Sequence, residues 1–187
     1  MKTALLVIDY INDIVDKNGK IPSCADYVQE NGIIANVNRA LETAREKNYL
    51  IIHVRVAFSN NYAAAGTLSP IFTGAKQYRA IEEGTWGAEF HKDVDARKDE
   101  IVVVKHRISA FYSTELEVYL RANAIERVLI AGVSTNMAVE LTAREAHDRD
   151  YAVEIVEDAC GSYNKEVHDF SIKILTHLAK ITNSKNI

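Results

Sequence analysis

The sequence predicts an α/β protein in which a three-layer α/β/α arrangement surrounds a mainly parallel central sheet. Two observations predict this class. Short runs rich in β-branched residues are apolar without alternation, which is typical of strands buried on both faces. These runs alternate along the chain with segments of helical periodicity, and right-handed crossovers then place helices on both faces of the sheet. At 187 residues, the chain is expected to form one domain over 1–187.

The predicted strands and helices alternate along the chain. The first strand covers 3–8. A helix over 31–47 is indicated by apolar residues at three- and four-residue spacing, among them Val37, Leu41 and Ala44. Further strands are expected at 49–54, 101–104, 128–132 and 153–156, and further helices at 114–122, 136–149 and about 165–180.

The stretch 57–98 interrupts the alternation of strands and helices. It contains the adjacent residues Asn60 and Asn61, a Ser69–Pro70 step and several glycines, and one short helix is expected near 75–82. Irregular stretches of this length in compact domains are usually functional. We therefore expect a lid or a contact between subunits here.

Composition excludes several classes of protein. With 48% hydrophobic and 26% charged residues the chain is not disordered. A formal net charge of −4 without a block of Lys or Arg gives no reason to expect nucleic acid or an anionic membrane as partner. The apolar runs are too short for a signal peptide or a membrane span. Cys24 and Cys160 have no metal-ligand spacing and are interpreted as reduced thiols of a cytoplasmic protein.

Polar residues stand where the predicted strands end. Asp9 ends the first strand, Lys105 ends the third, and the segment 132–136 follows the fourth and opens a helix. Alone, Asp9 is readily explained as a turn cap and Lys105 as a solvated lysine. Ligands of open α/β sheets bind beyond the carboxyl ends of the strands, so the two together favour a shared crevice.

The predicted pair suits proton transfer. Burial raises the pKa of a carboxyl group and lowers that of an ammonium, while each charge holds the other ionised. Such a pair is able to act as general acid and base near neutral pH. Main-chain N–H groups of 136–138 are candidates for stabilising an oxyanion. GxGxxG, P-loop, HExxH and GxSxG motifs are absent, which argues against common nucleotide and serine-hydrolase sites.

Four ordered segments carry a resemblance to a known superfamily. They are LVIDYIND at 6–13, TWGAE at 85–89, KHRISAFYSTEL at 105–116 and GVSTNMAVELTAREA at 132–146. With Tyr151 and the segment 158–160, they make the chain resemble the isochorismatase-like hydrolases, or cysteine hydrolases, which include nicotinamidases and isochorismatases. The resemblance implies a Rossmann-like α/β fold, a small-molecule substrate and a homo-oligomer, either a dimer or a tetramer.

The resemblance also implies roles for single residues. Asp9 would be the proton-transfer residue and Lys105 its charged partner. The nucleophilic cysteine of the amidase members falls at position 138, which is Ala138 here. Without a thiolate, thioester chemistry on an amide has no nucleophile. Ile11 stands where the family usually has Gln, and Cys160 is not expected to replace the missing thiol.

Three explanations of Ala138 stay open. Isochorismatases of the family hydrolyse a vinyl ether without a cysteine, and Asp9 and Lys105 would suffice for that reaction. Alternatively, the chain is a cysteine amidohydrolase of the nicotinamidase or carbamoyl-amidase kind, inactivated by a change of Cys to Ala. Lastly, it is a non-catalytic homologue that binds small molecules. We prefer the thiol-independent hydrolase.

Other residues are expected around the substrate. The loop after the fourth strand supplies Val133, Ser134 and Met137 as substrate or oxyanion contacts, and Trp86 and Phe111 are candidates for the wall of the pocket.

No metal ion or other cofactor is expected. Nicotinamidase-like members use an Asp-x-His pair and a further His as metal ligands. Here His53 is preceded by Ile51 at the Asp position, and the other histidines have no ligand spacing. His53 is therefore interpreted as a hydrogen-bonded histidine at the end of a strand.

Overall fold

A single sheet of six parallel strands forms the centre of the computed structural model, which describes residues 1–187. The strands are β1 (Thr3–Ile8), β2 (Leu50–Val56), β3 (Ile101–Lys105), β4 (Arg127–Gly132), β5 (Ala152–Val156) and β6 (Lys180–Thr182). Their order in the sheet is β3-β2-β1-β4-β5-β6. The direction of winding reverses between β1 and β4, and ligands of open α/β sheets bind at such a switch point. The predicted fold class is thus confirmed.

Seven α-helices connect the strands. They are α1 (Asn12–Val15), α2 (Ala25–Glu30), α3 (Ile33–Glu46), α4 (Pro70–Tyr78), α5 (Leu116–Ala122), α6 (Glu140–Asp148) and α7 (Lys165–Leu175). Short turns of 3₁₀ helix cover Trp86–Ala88 and Glu157–Ala159, and a π-helical turn covers Thr135–Val139. No helix combines the length and apolar character that a membrane crossing requires.

Two apolar layers enclose the sheet because strand residues point alternately to its two faces. Leu5 and Val7 of β1 pack in the layer that contains α3. Leu6 and Ile8 pack in the layer that contains α5, α6 and α7. Every residue of β1 is buried, which explains why its sequence shows a continuous apolar run.

The structure corrects two predicted elements. The last helix ends at Leu175 and does not reach 180, and Lys180–Thr182 instead form the edge strand β6 beside β5. Strand β6 has only three residues, one of them an exposed lysine, so its apolar run is too short to indicate a strand in the sequence. The short helix expected near 75–82 is α4, which begins earlier, at Pro70. Proline is favoured at the first helical position because its missing N–H would have no partner there.

The segment 57–98 has an apolar cluster of its own. Phe58, Tyr62, Phe72 and Ile81 pack together in it, and the cluster extends to Ile11 at the end of the central sheet. The ring of Phe58 lies 5.6 Å from that of Phe72 in an edge-to-face arrangement. The segment is therefore packed against the carboxyl ends of the strands rather than extended into solvent.

Two polar side chains of α1 fasten this segment to the sheet. Asn12 donates through Nδ2 to the carbonyl of Trp86 at 2.7 Å. Asp13 accepts from the main-chain N–H of Ile81 at 2.6 Å and from that of Lys20 at 2.9 Å. At Gly87 a Cβ atom would lie 2.2 Å from the Asp13 carboxylate, so only glycine fits beside it.

Candidate active site

The structure brings Asp9 and Lys105 together. Asp9 follows β1 in a left-handed conformation with a φ of 61°, which Asp tolerates better than most residues. Lys105 is the last residue of β3. The Lys105 Nζ lies 2.7 Å from the Asp9 Oδ2, and both side chains are buried. The N–H of Val56 on the intervening strand β2 donates to the Asp9 Oδ1 at 2.8 Å, and the ammonium also donates to the carbonyl of Arg107 at 3.0 Å.

The electrostatics of this pair favour a proton on the carboxyl group. Burial raises the pKa of Asp9 above its ordinary value, because the carboxylate loses water on entering the protein. The Lys105 ammonium and the Val56 N–H act in the opposite direction and offset part of this shift. Asp9 is thus a buried acid with a charged neighbour, able to hold a proton at a pH where an exposed Asp has lost it.

The loop after β4 forms the second side of the site. At Gly132 a Cβ atom would lie 2.8 Å from the Cβ of Ile8, so β1 and β4 approach closely only because this residue is glycine. The peptide bond between Val133 and Ser134 is cis. The N–H of Thr135 donates to the carbonyl of Gly161 at 2.7 Å and anchors the π-helical turn that follows.

Main-chain donors in this loop are partly in use. The N–H of Met137 donates to the carbonyl of Ser134 at 3.1 Å, so it is engaged within the turn. The N–H of Ser134 has no acceptor in the protein. Asn136 lies in the first turn of its helix, where N–H groups have no intrahelical partner. Of the donors expected at 136–138, the Met137 N–H is therefore already engaged, and the Ser134 N–H is a further donor without a protein partner.

A cavity of about 380 Å³ connects these parts. Its wall is mostly hydrophobic, and it includes six of the residues predicted from sequence, which are Asp9, Lys105, Val133, Ser134, Met137 and Ala138. Ala138 is 4% exposed and lies in the π-helical turn. Its methyl group thus faces the same cavity as the acid and the ammonium.

Two residues that were expected to line the pocket lie elsewhere. Trp86 is 48% exposed and is not part of the cavity wall, since its turn is fastened through its carbonyl to Asn12. Phe111 is buried in the core, where its ring stacks on that of Tyr151 at 6.2 Å. The guanidinium of Arg149 covers the same ring at 5.0 Å. The Phe111 side chain is thus used in packing, whereas Trp86 is held outside the cavity by its main chain.

Several wall residues were not predicted from sequence. They come from distant segments and are Ile14, Ile21, Ser23, Cys24, Val56, Ile71, Phe72, Ala75, Ile81, Arg107, Ile108 and Tyr163. Arg107 stands two residues after Lys105, but nothing in the sequence distinguished it from other charged residues.

Neither cysteine takes the place of a thiol at position 138. Cys24 lines the cavity, but burial raises the pKa of its thiol to about 11, with a smaller opposing contribution from the Ser23 hydroxyl. Burial raises the pKa of Cys160 to about 12, and its Sγ donates to the carbonyl of Val156 at 3.3 Å inside the core. Thiols of this kind are mostly protonated at neutral pH and are poor nucleophiles.

The residues do not fit a metal site of the nicotinamidase kind. No group of three or more His, Cys, Asp and Glu side chains is arranged to hold a metal ion. His53 is fully buried, and its Nε2 lies 2.7 Å from the Glu100 Oε2. Burial lowers the pKa of His53, and the hydrogen bond to Glu100 opposes this shift. The histidine is thus part of the hydrogen-bonding of the core.

Comparison with proteins of known sequence gives consistent relatives. The isochorismatase domain family matches residues 3–186. The isochorismatase family protein YecD of Escherichia coli O157:H7 is 33% identical over 189 residues, which cover 99% of this chain and 94% of that protein. The ureidoacrylate amidohydrolase RutB of Variovorax paradoxus is 30% identical over 170 residues, which cover 84% of this chain and 68% of that protein.

A solved structure agrees with these matches. The crystal structure of an isochorismatase-like hydrolase from Alkaliphilus metalliredigens is similar with a TM-score of 0.80 and 27% sequence identity, covering 99% of this chain and 96% of that chain. The family match extends over nearly the whole sheet, from β1 to β6, and includes the cavity. By sequence and by fold, the chain belongs to the isochorismatase family.

Proposed function

We propose that the protein is a hydrolase that needs no thiol and acts on a vinyl ether bound in the cavity. The observation that carries this proposal is the buried Asp9–Lys105 pair at the wall of a cavity in which position 138 is alanine. Hydrolysis of a vinyl ether requires a proton donor and water, but no nucleophilic side chain. These residues supply the first requirement, and the cavity has room for the second.

In the proposed reaction Asp9 acts first as an acid. Its carboxyl group transfers a proton to the terminal carbon of the vinyl group, where the π electrons form the new C–H bond. The positive charge that remains is shared between the ether carbon and the ether oxygen. A water molecule adds to that carbon and returns a proton to the Asp9 carboxylate. The resulting hemiketal breaks its C–O bond to give an alcohol and a ketone.

Lys105 and burial stabilise opposite states of Asp9. Once the proton has left, the ammonium at 2.7 Å stabilises the carboxylate that is formed. Before that, burial of the pair raises the pKa of Asp9 and favours the protonated acid. The carboxyl group is therefore able to give up a proton and regain it within one turnover.

Replacement of the acid tests the proposal directly. Asp9→Asn keeps an oxygen for the Val56 N–H but has no proton to transfer, so turnover of an enol ether such as isochorismate should fall at least about 100-fold. The rate of product formation is the measurement, with circular dichroism to verify folding. Asp26→Asn, which removes an exposed carboxylate on α2, is the matched control. Undiminished turnover by Asp9→Asn would refute the assignment.

A second candidate function is supported by Ala138 itself. Its side chain lies in the same wall as Asp9 and Lys105, and the relative RutB is named an amidohydrolase. The chain would then be a cysteine amidohydrolase that lacks its nucleophile.

Restoring the thiol separates the two candidates. If the second is correct, Ala138→Cys should gain hydrolysis of ureidoacrylate, nicotinamide or another amide, measured by ammonia release. Without a gain on any amide, the amidohydrolase alternative fails. Binding of small molecules without turnover of either substrate class, in the native chain and in Ala138→Cys, would instead indicate a non-catalytic binding protein.

A further inference from the structure

The two edges of the sheet differ in how they are protected against pairing with another chain. Strand β6, at one edge, has only three residues and carries the exposed Lys180. Short edge strands and exposed lysines are devices that natural sheets use against such pairing. Strand β3, at the other edge, has five residues, four of them β-branched and apolar, and Val102 is 43% exposed. Its only charged residue, Lys105, is already paired with Asp9.

The main chain of β3 leaves alternate residues without a partner strand. This strand pairs in parallel with β2 and with no other strand. The N–H of Ala57 donates to the carbonyl of Lys105 at 3.2 Å, so the odd-numbered residues of β3 bond to β2. The N–H and C=O groups of Val102 and Val104 therefore point to the open side, and neither residue bonds to a segment outside the sheet.

We propose that two copies of this chain pair along their β3 edges, antiparallel about a two-fold axis at Val103. A two-fold contact uses the same surface of both copies. In this register Val102 lies opposite the partner's Val104, and residues opposed in this way exchange both of their main-chain hydrogen bonds. The axis repeats the pair on its other side. One sheet then runs through both copies, with an antiparallel step between two parallel halves.

The charges beside β3 agree with an antiparallel contact. The acidic residues Asp99 and Glu100 precede the strand, whereas His106 and Arg107 follow it. Pairing about Val103 places the acidic pair of one copy beside the basic pair of the other. Opposite charges at facing positions stabilise a strand pair, and like charges destabilise it. A parallel contact in register would instead bring like charges together.

The proposed contact adjoins the active site through the strand that carries Lys105. A second copy would hold β3 from its open side and would thereby keep the ammonium 2.7 Å from the Asp9 Oδ2. The contact itself requires no particular reaction in the cavity. It therefore goes beyond the proposed function, and its test does not depend on turnover.

Analytical ultracentrifugation over a concentration series tests the association. The native protein should sediment at twice the chain mass of 20.9 kDa. Val102→Lys places a charge at the edge on both sides of the axis and should weaken association at least about 10-fold. Adding Val104→Glu to that variant places opposite charges across the contact and should restore much of the affinity, whereas adding Val104→Lys should not. Val118→Lys, at an exposed position on α5, is the control.

A disulfide test measures the register. Opposed residues that share hydrogen bonds in antiparallel strands have Cα atoms about 5.5 Å apart, which a disulfide spans. Under mild oxidation, a mixture of Val102→Cys and Val104→Cys proteins should give a disulfide-linked dimer that neither variant gives alone. The native chain should give none, because Cys24 and Cys160 are buried. This test also serves if the lysine variants prove unfolded by circular dichroism.

Several results would overturn the inference. A native chain that stays monomeric at its highest soluble concentration would do so, even if β3 bound a peptide of another protein. A dimer of unchanged affinity in folded Val102→Lys would place the contact on a different surface. The absence of a disulfide-linked dimer in the mixture, or its formation by Val102→Cys alone, would contradict the register about Val103.

Discussion

Asp9 and Asp13 are two buried carboxylates on neighbouring turns of the chain, and they have different surroundings. Asp9 faces the Lys105 ammonium and the cavity. Asp13 accepts hydrogen bonds from two main-chain N–H groups, those of Lys20 and Ile81, and is not part of the cavity wall. Burial alone therefore does not mark a reactive acid. A neighbouring cation and an accessible cavity mark a reactive acid, whereas main-chain N–H partners and close packing mark a structural acid.

The largest effect that sharpens this comparison is expected from Asp13→Ala. Removal of the carboxylate leaves the N–H groups of Lys20 and Ile81 without their acceptor. The free energy of unfolding should fall by roughly 2–4 kcal/mol, as expected for buried donors that lose their partners. Urea unfolding measures this change. A loss below about 1 kcal/mol would mean that the apolar cluster holds the segment 57–98 by itself.

A somewhat smaller effect is expected from Gly87→Ala. The added methyl group would meet the Asp13 carboxylate at 2.2 Å, so the free energy of unfolding should fall by about 1–3 kcal/mol. In the Asp13→Ala background the same change should be markedly less harmful, because the obstructing carboxylate is gone. A double-mutant cycle by urea unfolding measures the difference. Strictly additive losses would contradict direct contact between the two positions.

The smallest effect is a pH dependence specific to Asp9. Its pKa is raised in the folded state above the ordinary value of 3.8, so the folded protein binds the proton more tightly than the unfolded chain does. The stability that this proton contributes is present below the unfolded value and is lost as pH rises through the folded one. Relative to Asp9→Asn, the native protein should therefore lose stability as pH increases from about 4, by at most about 1.4 kcal/mol per pH unit.

Unfolding in urea at a series of pH values measures this difference. Asp26→Asn again serves as control, because its carboxylate is exposed. If the native protein instead gained stability over Asp9→Asn with rising pH, attraction by Lys105 would outweigh burial, and Asp9 would be ionised at neutral pH.

The sequence predicted the sheet and the acid with its partner well, for local reasons. Continuous apolar runs revealed five of the six strands, all except β6, and Asp9 and Lys105 stood at the ends of two of them. The prediction that these strands form a parallel sheet with helices on both faces is confirmed. The end of a strand is visible in the sequence, and in a parallel sheet the carboxyl ends of all strands lie at the same end of the sheet.

The wall of the site was harder to predict because it depends on packing between distant segments. Trp86 and Phe111 looked suitable as aromatic residues near the motifs, yet one is fastened outside the cavity and the other is buried under Arg149. Ile81 and Arg107 carry no local signal that distinguishes them from other apolar or charged residues. Their positions follow from how the segment 57–98 folds over the sheet, which no periodicity reveals.

Because β3 is an edge strand of the sheet, the Asp9–Lys105 pair is sensitive to local unfolding. Lys105 reaches Asp9 across β2, and β3 has a neighbour on one side only. A chain in which this outer strand frays would retain the middle of the sheet and both apolar layers there, yet it would have a carboxyl group without its ammonium. Local melting of this one edge strand would thus separate the Asp9–Lys105 pair while the rest of the sheet stays folded.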